Sequence, residues 1–110
     1  MVKVILNEQH QLLINQDEIL TEKYGEGKWK ILPVPASGWT LAEMEAVTES
    51  LKSETVCETV CFASPIPALM KLVASGGIEF FVLHNDRREK KELPGGKIIM
   101  TVAQEGWVIV

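Results

Sequence analysis

The sequence predicts one three-layer α/β domain, in which helices cover both faces of a mostly parallel β-sheet and a C-terminal antiparallel β-hairpin follows. Apolar segments of strand length alternate with helix patterns three times, and a fourth strand pattern comes next. Such alternation is typical of parallel sheets, whose crossover helices cover both faces. The length of 110 residues is that of one domain, and neither a repeat nor a linker composition divides it.

Two strand-helix pairs are predicted in the first half of the chain. Thr40 and Glu43 have the spacing of a capping box, in which each residue's side chain satisfies a free backbone N–H of the other. Asn15 and Glu18 have the same spacing, which places the first helix directly after Asn15. The predicted elements are the strands Val2–Leu6 and Trp29–Val34 and the helices Gln16–Tyr24 and Leu41–Lys52.

The second half continues with a third strand-helix pair, a fourth strand and a β-rich tail. Ser64 can cap a helix and Pro65 suits the first helical position, so the third helix is expected to begin there. The turn Pro94-Gly95-Gly96 makes a hairpin of the tail, which is expected either to add an antiparallel edge to the sheet or to pair with a second copy. The predicted elements are the strand Val56–Ala63, the helix Pro65–Ser75, the strand Ile78–Leu83 and the β-rich segments Lys97–Ala103 and Trp107–Val110.

The charge of the chain argues against two classes of binding partner, DNA in general and membrane surfaces. The net charge is -4, from 11 basic and 15 acidic residues. General DNA binding and membrane-surface binding need a surplus of Lys and Arg, so neither is expected. The sequence also has no run of about 18 apolar residues that would span a membrane. Basic residues are nevertheless concentrated between Arg87 and Lys97, which leaves room for a local phosphate site.

Cys57 and Cys61 are the two cysteines, and both fall on the third predicted strand. Four residues of a strand span about 13 Å, whereas a disulfide requires Cα atoms within about 7 Å. Free buried thiols are typical of a reducing compartment, so a cytoplasmic location is expected. The sequence shows no zinc-ligand spacing and no glycine-rich phosphate loop. Neither a metal nor a cofactor is expected.

Polar residues follow the third and fourth strands, whose carboxyl ends are expected to meet at one edge of the sheet. Ligands of open α/β sheets bind beyond these ends. Ser64 and the free N–H groups of the third helix would bind a phosphate there. In the alternative, which local patterns favour, Ser64 is simply a helix cap.

The segment His84–Lys91 supplies the remaining candidates at this edge. Arg87 and Arg88 are expected to bind phosphate, because a guanidinium group can grip it with two donors. His84 or Asp86 would transfer a proton near neutral pH, and Arg87 would stabilise the charge of a transition state. In the alternative, these charges only make a soluble hairpin with cross-strand ion pairs.

A third segment follows the second strand at the same edge. Trp39 would stack on a base, and Ser37 or Thr40 would bind phosphate. The alternative, which is favoured here, is that Trp39 covers the edge of the core. His10, which follows the first strand, is a weaker candidate for the same cleft.

Between Cys57 and Ile99, a strand, a Ser-Pro helix start, a second strand and a polar Asp-Arg segment follow one another. This order resembles the small CRISPR-associated proteins with a compact Rossmann-like, or CARF-like, domain. The runs ASPIPAL at 63–69 and FVLHNDR at 81–87 are similar to their strand-to-helix loop and to their strand followed by Asp and Arg. The resemblance implies a Rossmann-like fold and, as in the ring nucleases of this group, action on cyclic oligoadenylates.

Two functions from different classes remain open at this point. The first is a homodimer that binds a phosphorylated, nucleotide-like ligand at the carboxyl edge, with or without metal-independent phosphodiester cleavage. The second is a non-enzymatic interaction or dimerisation module, whose hairpin supplies an edge for a partner.

Overall fold

The order of secondary structure follows the predicted alternation. The computed structural model describes residues 1–54 and 59–110. The helices of these residues are α1 Ile14–Tyr24, α2 Leu41–Ser53 and α3 Pro67–Ser75. Their strands are β1 Val2–Asn7, β2 Trp29–Val34, β3 Thr59–Phe62, β4 Glu79–His84, β5 Arg88–Glu92, β6 Ile98–Val102 and β7 Val108–Ile109.

Five strands form a mixed, mostly parallel sheet in the order β2-β1-β3-β4-β7. Strands β2, β1, β3 and β4 are parallel to one another, and β7 pairs with β4 in the antiparallel direction. The predicted α/β class and the mostly parallel sheet are confirmed. The adjacent, parallel pairing of β3 and β4, which the predicted site needs, is also present.

Two apolar clusters join the sheet to the helices. Neighbouring side chains of a strand point to opposite faces, and accordingly Val4 and Ile5, both fully buried, belong to different clusters. The cluster around Ile5 contains Leu51 of α2 and Leu69 of α3. The cluster around Val4 contains Leu20 of α1. The central strands β1 and β3 are thus buried on both of their faces.

The predicted start of α1 is wrong, although the predicted start of α2 is confirmed. Leu13 is the N-cap of α1, and its backbone N–H donates to Gln16 Oε1 at 2.9 Å. Asn15 does not cap the helix, because its Oδ1 accepts the backbone N–H of Trp107 at 3.0 Å. At α2, Thr40 and Glu43 form the expected reciprocal capping box.

The predicted start of α3 at Ser64-Pro65 is also wrong, since the N-cap is Ile66 and Pro67 is the first helical residue. A residue before proline is pushed out of the helical region, and Ile66 is accordingly extended, with φ −129° and ψ 93°. Ser64 therefore lies outside the helix. Its Oγ instead accepts the backbone N–H of Asn7 at 2.9 Å.

The C-terminal antiparallel hairpin is confirmed, but it does not extend the main sheet. Strands β5 and β6 form a separate two-stranded sheet. Gly95 and Gly96 in its turn both have positive φ, at 92° and 82°, a conformation that other residues rarely adopt. The antiparallel edge of the main sheet is β7 instead. Of the third predicted strand, Val56 and Cys57 lie outside the described residues, while Cys61 is free and buried.

The Tyr24 hydroxyl is buried near the Cys61 thiol but makes no hydrogen bond of normal geometry with it or with any other described residue. An unpaired buried hydroxyl destabilises the folded state. We expect Tyr24→Phe to raise the free energy of unfolding by up to about 1 kcal/mol, as measured by urea denaturation. Thr21→Val is the matched control from the same helix. It removes a hydrogen bond that is made, from Trp29 Nε1 at 3.2 Å, and should lower stability. Equal losses in both variants would contradict this assignment.

Candidate functional site

A cleft of about 770 Å³ opens at the carboxyl ends of β1, β2 and β3. From β1 the chain crosses to β2 on one side and later places β3 on the other side. Ligands of open α/β sheets bind at such a reversal of strand order, outside the carboxyl ends. We call this the switch-point cleft. It is lined by Leu6, Asn7, Gln9, His10, Gln11, Leu13, Gln16, Val34, Ala63, Ser64, Pro65, Ile66, Val102 and Trp107.

The chemistry of the cleft is apolar and amide-rich. Its lining residues, all from the described part of the chain, include no Lys, Arg, Asp or Glu. His10 is the titratable side chain of the lining, and it is exposed. Apolar walls with a few directed polar groups are typical of sites for small organic ligands. A charged group of such a ligand would find no fixed opposite charge inside the cleft.

Gln16 is the most informative polar residue of the cleft, because it is only 7% exposed. Its Oε1 accepts the backbone N–H of Leu13 at 2.9 Å. Since a backbone N–H can only donate, this bond fixes which end of the amide is the oxygen. The Nε2 group makes no hydrogen bond within the described chain, so both of its N–H groups remain available. Gln16 thus brings a buried amide donor to the wall of the cleft.

Ser64, which follows β3, supplies a second donor to the lining of the cleft. Its Oγ accepts the Asn7 N–H, which leaves the hydroxyl hydrogen available for a ligand. The backbone around it is held firmly, because the N–H groups of Ala63 and Ser64 both donate to Ile5 O at 2.9 Å. The Asn7 side chain in turn accepts the Gln9 N–H at 2.9 Å. The position of the Ser64 hydroxyl is therefore set by two neighbouring strands.

Trp107 forms the wall contributed by the C-terminal part of the chain. Its backbone N–H donates to Asn15 Oδ1 at 3.0 Å, and its indole Nε1 donates to Ala103 O at 2.9 Å. These two bonds fix the indole at the mouth of the cleft. A fixed indole is a suitable surface for stacking a planar ring.

No family model matches the sequence, and no curated protein or solved structure matches it either. The resemblance to CARF-like proteins therefore remains a prediction. In the described residues no helix is long and apolar enough to cross a membrane. These residues also contain no group of three or more His, Cys, Asp or Glu side chains placed to hold a metal ion.

Arg87 and Arg88 line a second cavity, of about 550 Å³, at the base of the hairpin. Segment 102–107 separates it from the switch-point cleft and contributes to both. Val102 and Trp107, at its two ends, line the switch-point cleft. We call the second one the arginine cavity, which is lined by Arg87, Arg88, Glu89, Ala103, Gln104, Glu105 and Gly106.

His84 and Asp86 form a pair at the end of β4, with 2.6 Å between Nε2 and Oδ1. Both side chains are exposed, and they line neither cavity. Between them Asn85 is only 8% exposed. Its Nδ2 donates to Glu105 O at 2.8 Å, and its Oδ1 accepts the Arg87 N–H at 2.9 Å. Asn85 therefore fixes the direction in which the chain leaves β4.

The structure separates residues that the sequence analysis had grouped. Ser64 and His10 line the switch-point cleft, whereas Arg87 and Arg88 line the arginine cavity. Ser37 is exposed, and it lines neither cavity.

Trp39 packs against the cluster around Ile5 and lines neither cavity, in agreement with its alternative role at the edge of the core. Gln16, Asn85 and Trp107 had not been assigned to the site. A local signal was present only for Gln16, which follows a candidate cap residue at a helix start.

Proposed function

We propose that the protein binds a phosphorylated, nucleotide-like small molecule across both cavities. The uncharged ring system occupies the switch-point cleft, and the phosphate reaches Arg87 and Arg88. The observation that carries this proposal is the pair of unused donors, Gln16 Nε2 and the Ser64 hydroxyl, at the reversal point of a parallel sheet. A heterocycle with ring nitrogens or carbonyl oxygens would satisfy these donors.

The finer fold assignment, a three-layer Rossmann-like domain, belongs to the same proposal. Its support is the strand order and the two apolar clusters, one with α1 and the other with α2 and α3. A cytoplasmic location is proposed with it, and the buried free thiol of Cys61 supports a reducing compartment.

The division of the ligand between two cavities follows from charge. The switch-point cleft has no cationic side chain in its described lining, so a phosphate buried there would lose its hydration without an opposite charge. The arginine cavity is lined by Arg87 and Arg88, whose guanidinium groups can each bind phosphate with paired donors, and also by Glu89 and Glu105. The Glu89 carboxylate already accepts the backbone N–H of Gln104. Segment 102–107 contributes residues to the lining of both cavities, and the proposed ligand lies across it.

Cleavage of a cyclic oligoadenylate is a second candidate, favoured by the short contact between His84 and Asp86 beside Arg87. In such a metal-independent reaction a ligand 2′-hydroxyl attacks phosphorus and gives its proton to a base. The bond from phosphorus to the 5′-oxygen breaks, and this oxygen takes up a proton. His84 is the candidate base, and Arg87 the candidate for stabilising the phosphorane charge. Chromatography of a cyclic oligoadenylate incubated with the protein should show linear products, and His84→Ala should not form them. If the cyclic ligand stays intact with the wild type, the cleavage reaction is excluded, but the binding proposal is unaffected.

Ligand binding is tested by thermal shift with nucleoside mono-, di- and triphosphates and cyclic oligoadenylates. A ligand at 100 times its Kd should stabilise the protein by about 2.7 kcal/mol, which raises Tm clearly. Calorimetric titration of the ligand that responds should then show roughly tenfold or greater loss of affinity in Ser64→Ala, Gln16→Met and Arg87→Ala. Circular dichroism checks that each variant is folded.

Matched controls come from residues of the same type outside the two cavities. Ser37→Ala controls for Ser64→Ala, and Lys91→Ala controls for the loss of a positive charge in the hairpin. Both should bind like the wild type. A panel without any response would overturn the proposal. Binding that Ser64→Ala and Gln16→Met leave unchanged would place the ligand outside the switch-point cleft.

A further inference from the structure

The hairpin of β5, the turn and β6, residues 88–102, forms an arm that stands apart from the remaining structure. Within residues 1–54 and 59–110, its two strands contact chiefly each other and no other helix or strand closely. The radius of gyration is 15.5 Å, against about 13 Å for a compact chain of this length. The principal extents of 52 × 32 × 19 Å show the same elongation.

One face of the arm carries an exposed apolar row. Ile98, Met100 and Val102 are 62%, 56% and 49% exposed. They alternate along β6 with the less exposed Ile99 and Thr101, so all three lie on one face. We call this the apolar face of the arm. Its second row, set by the strand register, is Glu92 opposite Ile98, Lys90 opposite Met100 and Arg88 opposite Val102.

The other face of the arm is already used within the chain. The carboxylate of Glu89 accepts the backbone N–H of Gln104 at 3.0 Å. This bond ties the base of the arm to the segment that leads to β7. A two-stranded hairpin is only marginally stable in water by itself. An arm that exposes three adjacent apolar side chains is thus typical of a surface that another structure covers.

We propose that the apolar face of the arm packs against the same face of a second copy, related by a two-fold axis. An axis that lies between the two faces and runs across the strands reverses one copy relative to the other. Met100 then meets Met100 at the axis, and Ile98 meets Val102 of the second copy. The charged row is complementary to itself in this orientation, because Arg88 of each copy faces Glu92 of the other.

The charge pattern selects a second copy over an unrelated partner. The charged row on β5 has Arg88 at one end and Glu92 at the other. When a second copy is reversed by the two-fold axis, each Arg88 lies opposite a Glu92. Two-fold interfaces require this self-complementarity. Lys90, at the axis, is exposed and has a side chain long enough to place its ammonium in water.

The size of the apolar face of the arm determines how strong a dimer we expect. Six residues on two strands cover on the order of 300 Å² per copy, well below the ~800 Å² per partner of a standard interface. The dimer should therefore be weak, and its population should depend on concentration in the micromolar to millimolar range. Val102 also lines the switch-point cleft and Arg88 lines the arginine cavity, so the interface borders the ligand site. Because Arg88 cannot serve both at once, phosphate bound at Arg88 should weaken the dimer.

Sedimentation velocity over a range of protein concentrations tests the proposal. The mass should rise from 12.3 kDa toward twice that value. Met100→Lys should weaken the dimer at least tenfold, because it adds two ammonium groups at the axis, where Lys90 of each copy already lies. Arg88→Glu and Glu92→Arg should each weaken it by creating like-charge pairs, and the double variant should restore it. Lys91→Glu, on the opposite face, is the matched control and should leave the dimer unchanged.

Three results would overturn the proposal. The first is a wild-type protein that stays monomeric at roughly 1 mM, which would assign the apolar face to a different protein. The second is a dimer that Met100→Lys does not weaken. The third is a double charge reversal that fails to restore what each single reversal removes. Circular dichroism of each variant excludes unfolding as the cause of a lost dimer.

Discussion

Replacing Phe62 by alanine is expected to lower the free energy of unfolding by about 3 to 5 kcal/mol. Phe62 is fully buried on β3, a central strand of the main sheet. Its ring packs edge-on against Phe80, with centroids 5.7 Å apart and an interplanar angle of 87°. Truncation removes the transfer free energy of the ring and leaves a cavity between the sheet and α3. It also removes an aromatic pair worth about 1 kcal/mol beyond its buried area.

Urea denaturation at neutral pH measures this loss, and Phe62→Leu is the control. Leucine fills most of the volume, so this variant should lose much less stability than the alanine variant. A double-mutant cycle with Phe80→Leu isolates the contribution of the ring pair. A loss below about 1 kcal/mol in Phe62→Ala would mean that β3 is not a central, closely packed strand.

The same substitution should affect the candidate site. Phe62 immediately precedes Ala63 and Ser64, whose backbone N–H groups are bonded to Ile5 O. A cavity beneath this point allows the carboxyl end of β3 to shift. Ligand affinity in Phe62→Ala should fall even at temperatures where the variant remains folded.

The order of helices and strands was predictable because its signals are local. Apolar runs of strand length marked β1, β2 and β4 to within about a residue, and the capping box at Thr40 marked the start of α2. Such patterns act within one or two turns of the chain. The parallel pairing of β3 with β4 followed from the alternation alone.

The two wrong helix starts have one physical cause. Asn15 and Ser64 both had a sequence pattern typical of an N-cap, and both use their side chains in long-range hydrogen bonds instead. Asn15 binds a backbone N–H 92 positions away, and Ser64 binds one 57 positions away. A local pattern gives no information about competing partners that are brought near only by the fold. These two residues tie the strand ends and the C-terminal segment around the cleft.

Ser64 and Arg87 line different cavities, although the strands beneath them are adjacent. The cause is Asn85, whose side chain accepts the Arg87 N–H and donates to Glu105 O. This turn leads directly into β5, the first strand of the arm. Asn readily makes such a turn, but its effect on direction depends on Glu105, which no local pattern links to it.

Stability should also fall steeply at alkaline pH, by about 2 to 3 kcal/mol from one thiol. Burial raises the pKa of Cys61 from 9.0 to about 11. Between these values the unfolded chain releases the proton while the folded chain retains it. The unfolded state then binds fewer protons, so the free energy of unfolding decreases as pH rises. The contribution of Cys61 is fully present below pH 9 and is lost as the pH passes 11.

Tyr24 should also lower the free energy of unfolding at alkaline pH. Burial, and to a smaller extent the neighbouring Cys61 thiol, raise its pKa above the ordinary 10.0. Urea denaturation at pH 7, 9, 10 and 11 measures the combined loss. Cys61→Ala isolates the thiol: its small cavity lowers stability at pH 7, but its curve should be flatter. The gap between wild type and variant should therefore narrow by about 2 to 3 kcal/mol. Parallel curves would show that the Cys61 thiol is reached by water in the folded protein.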